Sequence, residues 1–454
     1  YEPRARVARA PMNVDPPTGT PAPTRLARKL GTADAVVIGL GAMLGAGVFA
    51  AIAPAARAAG DGLLIGLLIA GFVAYCNATS SAALAALYPE SGGAYVYGRK
   101  RLGDAWGFLA GWCFVVGKLA SCAAMALTFA TYAAPAFARP LAVLAVVVLT
   151  AVNYFGVAKT VLATRVIVAF VLGCLALVVT ATVFGGSADP ARAVPTLGKG
   201  WNGILQAAGF LFFAFAGYAR IATLGEEVVA PERTIPRAIP IALGIVLVIY
   251  AIVAISALAA VGADVLAATA APLAAAVSSG RFAEWLPAVR VGAAVASLGV
   301  LLSLLAGISR TTFAMAANGD LPRWLASVHP HHRIPDRAEV AAGAIVAAIV
   351  IVADIREAIG FSSFAVLLYY AIANASAITL NARERRGALA LPVAGLFGCV
   401  LLASSLPLPA VAGGAALVVA GGAVHHWRNG RRAAVTGSAA RAPRAERNDG
   451  GGSP

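Results

Sequence analysis

From Ile38 to Phe49 the chain reads Ile-Gly-Leu-Gly-Ala-Met-Leu-Gly-Ala-Gly-Val-Phe, with Gly39, Gly41, Gly45 and Gly47 inside one long apolar run. Each glycine costs a helix about 1 kcal/mol relative to alanine, so the cluster has a cause. Two causes are open. Gly41 and Gly45 have the small-xxx-small spacing that lets two helices approach closely. Alternatively, Gly45-Ala46-Gly47 interrupts the helix, and the amide N–H groups freed there can hold an anion. On this segment alone, packing is the simpler cause. A dinucleotide-binding loop is excluded, because Gly39-x-Gly41-x-x-x-Gly45 is one residue too long for that fingerprint and no βαβ pattern surrounds it.

Lys118 is the second chemical feature. It lies about a dozen residues into an apolar run, too deep to reach either surface comfortably, and an ionisable group at that depth marks a functional site by default. A desolvated lysine can gain and lose a proton in each cycle, or stand as a fixed charge in place of a cation. The plainer reading is a structural lysine facing a watery vestibule or a carbonyl. At similar depth, Phe210-Leu-Phe-Phe-Ala-Phe-Ala-Gly217-Tyr218-Ala-Arg220 carries a glycine among aromatic and small residues. Arg220 either pairs with Glu226 or Glu227 as a gate or simply snorkels. Glu90, Glu226 and Glu227 fall at helix ends, and no carboxylate is evident at mid-depth.

Metal and enzyme chemistry find no support. Cys76, Cys113, Cys122, Cys174 and Cys399 lie in apolar runs without ligand spacing, as small buried hydrophobes do. His329, His331 and His332 sit in a loop and His425-His426 at a helix end; no metal site is expected. There is no His-Glu-x-x-His, no intramembrane Ser/Asp pair and no nucleotide-binding loop, so neither an enzyme nor a cofactor is expected.

The elements that position these residues follow from composition. Of 454 residues 60% are hydrophobic and 12% charged, against about 25% charged in soluble domains. This is an integral membrane protein, and its long apolar runs are helices rather than alternating barrel strands. Twelve spans are expected, at 34–56, 61–87, 105–133, 140–156, 161–184, 201–223, 237–262, 285–309, 338–353, 358–381, 388–406 and 408–427. The net charge of +15 lies mostly in tails and alternate short loops: Arg25, Arg28 and Lys29; Arg99, Lys100 and Arg101; Lys159 and Arg165; Arg233 and Arg237; Arg310, Arg323, Arg333 and Arg337; Arg383, Arg385 and Arg386. That is the pattern of membrane orientation, not of nucleic-acid binding, and it places both termini in the cytoplasm of a multi-pass cell-membrane protein. Residues 1–30 and 428–454 read as disordered cytoplasmic tails, the first without a signal peptide's apolar core.

Spans one and six stand five helices apart, each weak near mid-depth. Matching interruptions in two halves point to a transporter of inverted repeats, and this shifts the first glycine cluster toward a break. The loops add Tyr88-Pro-Glu-Ser-Gly-Gly-Ala-Tyr95, then Gly225-Glu-Glu-Val-Val-Ala-Pro-Glu-Arg-Thr-Ile-Pro-Arg-Ala-Ile239, then Arg310-Thr-Thr-Phe-Ala-Met-Ala-Ala-Asn-Gly-Asp-Leu-Pro322. With the Gly-Ala-Gly-Val-Phe motif, these resemble the amino acid–polyamine–organocation superfamily, nearest its cationic-amino-acid-transporter-like and bacterial permease branches. The resemblance runs from about Gly31 to Asn381.

It implies an all-α LeuT-type fold: five-helix repeats at 31–184 and 201–381 with broken helices one and six, and accessory helices at 388–427. It also implies that the amides around Ala46 and Gly47, beyond Gly45, hold a substrate carboxylate. The carbonyls of Met43, Phe213 and Ala216 would accept from its ammonium, and Gly217 would permit the unwinding of span six. Phe213 and Phe215 either close over the substrate or merely pack; Tyr218, Arg220, Glu226 and Glu227 are further gate candidates. Family members with proton coupling can use a lysine in span five; here the matching stretch has Val171, so Lys118 is the candidate for coupling or for a fixed charge. The expected function is secondary active transport of amino acids by alternating access, with a proton as partner. An amino acid/amine or polyamine exchanger is the alternative, and a non-transporting sensor a more distant one. The missing mid-depth carboxylate weighs against a strongly cationic substrate. Substrate identity, Na⁺ use at Ser303 or Ser309, and oligomeric state stay open.

Overall fold

The computed structural model describes residues 30–440 except 89, 91, 157–160, 223, 225, 226 and 386. Glu226, Arg25, Arg28, Lys29, Lys159, Arg386, the tail at 1–29 and the end of the second tail lie outside the described residues.

The described chain is helical, as apolar runs rich in Ala, Leu and Val must be where no water serves the backbone. In order come α1 Thr32–Met43, α2 Ala46–Ala50, α3 Ile52–Ala59, α4 Leu63–Leu87, α5 Ala94–Arg101 and α6 Asp104–Ala133. Next are α7 Ala138–Tyr154, α8 Val161–Phe184, α9 Gly200–Phe215, α10 Ala219–Ala222, α11 Pro231–Ala268 and α12 Pro272–Ser278. The chain continues through α13 Leu286–Ala317, α14 Asp336–Val352, α15 Ile355–Ile378, α16 Ala390–Ser405 and α17 Leu408–Ala440. The last helix runs past the span end expected at 427. Extended pairing among the described residues is one parallel bridge between Leu30 and Val228, which ties the start of span one to the segment after span six.

Ten described stretches are long and apolar enough to cross a membrane. α14 and α16, at the places of expected spans nine and eleven, have 17 and 16 residues, about 24–26 Å at 1.5 Å per residue against a hydrocarbon core of about 30 Å. Length alone therefore gives ten spans, not twelve.

Polar groups set the helix ends that bear on the interior. Asp354 begins α15 with a reciprocal cap, its carboxylate accepting from Glu357 N at 2.8 Å while Glu357 accepts from Asp354 N at 3.1 Å, which satisfies two otherwise orphan amides. α6 and α15 are the most buried spans and pack on one another, whereas the α7 and α17 spans expose most of their surface. Lys118 thus sits on the central helix, about 21 Å along its axis from Asp104.

Candidate functional site

The first glycine cluster contains a break, and a close crossing that falls at Gly47 rather than at the Gly41–Gly45 pair, whose glycines face the side chains of Thr164, Val168 and Val300. α1 stops at Met43, Leu44 and Gly45 leave helical geometry (φ −76°, ψ 60° and φ −123°, ψ −144°), and α2 resumes at Ala46. Close packing coincides with the break. A Cβ on Gly47 would lie 2.6 Å from the Ala214 Cα, and one on Gly217 would lie 2.8 Å from the Met43 amide nitrogen. Spans one and six therefore meet backbone to backbone, a contact no larger residue permits. Span six changes more gently, through a 3₁₀ turn at Ala216–Tyr218 between α9 and α10.

One buried tyrosine joins the two interruptions. The Tyr250 hydroxyl donates to Met43 O at 2.6 Å and reaches Ala214 O at 3.1 Å. Since Gly45 N also donates to Met43 O at 2.8 Å, both lone pairs of that carbonyl are engaged. Met43, expected to accept from a substrate ammonium, is occupied by the protein itself in this conformation.

A cavity of about 390 Å³ opens beside the interruptions, lined by Ala42, Phe114, Lys118, Met125, Phe213 and Ala216 at its deep end. Toward the end of the bundle where α1 begins it is lined by Tyr95, Arg220, Glu227, Ser303, Arg310 and Thr311. Lys118 is 6% exposed. Its Nζ lies 3.5 Å from Ala216 O, and the Tyr370 hydroxyl lies at the same distance from that oxygen. Nearby, Ser121 and Ser362 share a hydrogen bond of 2.6 Å, linking α6 to α15.

The structure thus gathers Lys118, Phe213, Ala216, Gly217, Arg220 and Glu227 around one space. It leaves Met43, Gly45 and Gly47 of the expected carboxylate and ammonium site outside the cavity lining, and Phe215 and Tyr218 as well. Phe215 is fully buried against Tyr250, ring centroids 5.2 Å apart, and Tyr218 is buried on Tyr370 at 5.0 Å; both rings pack the core rather than face the cavity. Of the side-chain gate candidates among the described residues, Phe213 and the Arg220–Glu227 pair line it, the pair at 3.8 Å.

Two polar clusters escaped the sequence reading. Glu339, near the start of α14, is 2% exposed and accepts from Asn153 Nδ2 at 3.0 Å; that nitrogen also reaches Leu302 O at 3.1 Å. A carboxylate is therefore buried inside the bundle after all, behind α13 and outside the cavity lining. The hint was Asn153, a polar residue in an apolar run that needed a partner. Second, Asp320 accepts from Arg99 at 2.7 Å and Tyr95 at 2.8 Å and pairs with Arg428, which also meets Asp104 at 3.1 Å. Burial keeps the Tyr95 phenol above its usual pKa, so it remains a donor to Asp320. These contacts fasten α17, at Arg428, to α5, to the start of α6 and to the loop after α13.

A second cavity, about 380 Å³, lies toward the opposite end of the bundle, bordered by Ala50, Arg57, Leu127, Arg139, Asp354 and Arg356. Along α6 the first cavity reaches Met125 and the second begins at Leu127. Along span one, Ala42 borders the first and Ala50 the second, and Met43, Leu44, Val48 and Phe49 between them are at most 2% exposed.

Residues 30–420 match the profile of a family described as amino acid permease. An uncharacterized transporter of Mycobacterium tuberculosis is 60% identical over 418 residues, covering 92% of this chain and 95% of its own length. The branched-chain amino acid permease of Bacillus subtilis is 26% identical over 337 residues, 68% of this chain and 71% of its own. The chloroplastic cationic amino acid transporter 7 of Arabidopsis thaliana is 27% identical over 383 residues, 77% of this chain and 65% of its own.

Proposed function

The chain belongs to the amino acid permease family of the amino acid–polyamine–organocation superfamily, a transporter and not an enzyme, and on that premise we propose that it carries amino acids across the cell membrane by alternating access. The reading takes α14 and α16 as short spans, which brings the total to twelve, and groups the first ten as two inverted five-helix repeats. It sets the cavity at the Arg220–Glu227 end toward the cytoplasm, together with both termini, because the described arginine-rich loops cluster at that end.

The observation that carries the proposal is the pair of cavities on opposite sides of the span-one break, separated along α6 by little more than a residue or two. Such a barrier is crossed by rocking one repeat against the other around a fixed site, and the conformation described is the one open to the cytoplasm. The substrate carboxylate sits at the amides that begin α2, which as the first of a helix have no partner within it. Its ammonium takes the carbonyls of Phe213 and Ala216. Lys118, beside Ala216, carries a transported proton or a fixed charge.

Uptake into proteoliposomes, with and without an inward proton gradient, tests this. Gradient-stimulated uptake that Lys118→Ala abolishes is the expected result. Full gradient-driven uptake in that variant ends the coupling role. Uptake that ignores the gradient but requires internal substrate makes the protein an exchanger.

A further inference from the structure

We propose that the substrate is an acidic amino acid, one whose side chain carries a second carboxylate, and that Lys118 is its counter-ion. This deepens the transport reading above and rests on it.

Charge along the path is the first argument. Among the described residues lining the cytoplasmic cavity, Lys118, Arg220 and Arg310 stand against Glu227. Around the opposite cavity Arg57, Arg139 and Arg356 stand against Asp354. Counted over the described residues, the lining of each cavity therefore carries more positive than negative charge, Lys118 lying at the deep end of the first, and a cleft of one sign with low-dielectric walls concentrates the opposite ion. Two of the three outer arginines are held by carbonyls rather than by carboxylates, and Arg356 lies over the Phe210 ring. Arg57 donates to Ala267 O at 2.8 and 3.2 Å, and Arg139 to Ile351 O at 3.0 Å. Each guanidinium has five N–H donors, so donors remain for a passing carboxylate, and its charge is left uncancelled by these contacts.

The second argument is the deep end of the cavity. Within hydrogen-bond reach of the Lys118 ammonium among the described residues is Ala216 O, at the long distance of 3.5 Å. A buried charge without a charged partner is costly, and an anionic guest completes the pair. Acceptors for cationic guests are few by contrast. Met43 O is filled by Gly45 N and Tyr250, which leaves the α-ammonium the second lone pair of Phe213 O, beside the bond from Ala216 N, and Ala216 O, met by Lys118 and Tyr370 only at 3.5 Å. The site has room for one α-ammonium, and a second cation on the side chain would meet Lys118 instead of an acceptor.

The test uses the purified full chain, with thermal-shift binding and proteoliposome uptake of glutamate, aspartate, leucine and lysine. Glutamate or aspartate is expected to stabilise the protein and to be taken up, with lysine unable to compete. Lys118→Met should lower the affinity for the acidic substrate relative to leucine by roughly ten- to a hundredfold, the scale of one charge-assisted bond. Arg57→Gln/Arg139→Gln/Arg356→Gln lies at the bundle surface, away from the interruptions. It should raise KM for the acidic substrate added from that side and lessen the dependence of uptake on ionic strength. Uptake of leucine or lysine with which neither acid competes overturns the inference while leaving the transporter standing. An absence of uptake for any amino acid removes the transport reading instead. In that event the binding arm decides alone: an acid that fails to stabilise the wild type, or that stabilises wild type and Lys118→Met equally, overturns the assignment of Lys118.

Discussion

Tyr250 shows how one hydroxyl sets the state of a backbone site. It bridges Met43 O in the broken first span and Ala214 O in the sixth, and it is buried, with 4% of its surface exposed. Tyr250→Phe keeps the ring against Phe215 but strands two buried acceptors, of which Met43 O retains the bond from Gly45. The expected loss is about 1–2 kcal/mol, read as a lower melting temperature of the purified protein. A second consequence separates this from simple destabilisation. With one lone pair of Met43 returned to the site, the affinity for a zwitterionic substrate should rise even as stability falls. Unchanged melting would show that the bridge carries no weight. Nothing in the sequence announces Tyr250, a lone tyrosine in the apolar run of α11, because its role depends on where two other helices happen to interrupt.

The elements were more legible than the contacts. Glycine spacing offered packing at Gly41–Gly45 or a break at Gly45–Gly47 as alternatives; the break falls at Leu44–Gly45, and the backbone approach falls at Gly47 and Gly217 instead of the Gly41–Gly45 pair. Hydropathy located the ten stretches long enough to cross a membrane, with the shorter α14 and α16 where two further spans were expected. It could not say that Phe215 and Tyr218 face the core while Phe213 faces a cavity, because all are aromatic residues in one short stretch and hydropathy does not tell which side of α9 meets Tyr250 and which meets the cavity. Nor could it reveal the burial of Glu339, which falls at the very start of the expected ninth span and is enclosed only where Asn153 and α13 meet it. The crossing makes a paired prediction. Gly47→Ala brings a Cβ against Ala214 backbone, where no flexible side chain can yield, so folding or transport should be lost. Gly244→Ala meets nothing within 4 Å on α11 and should be neutral or stabilise by about 0.5–1 kcal/mol. Equal tolerance of both substitutions, measured by melting and uptake, would rule out the close crossing as the reason for glycine.

At the scale of the whole molecule, two cavities with a thin barrier between them mean that sidedness is the quantity to measure. Ser303 lines the cavity that holds Lys118 and Thr131 the opposite one, on α13 and α6. The five native cysteines, Cys76, Cys113, Cys122, Cys174 and Cys399, are all buried, so the wild type offers little background to a membrane-impermeant maleimide. In the conformation described, Ser303→Cys should label from the face that carries the arginine-rich loops, and Thr131→Cys from the other. Alternating access adds a stricter demand, because one population cannot be open at both ends. Conditions that shift the protein toward the outward state must speed labelling at residue 131 and slow it at residue 303 by the same change in population. Two sites that respond independently would describe a channel or two unrelated clefts, whereas reciprocal rates that move with added substrate tie both cavities to a single path through Lys118 and the broken first span.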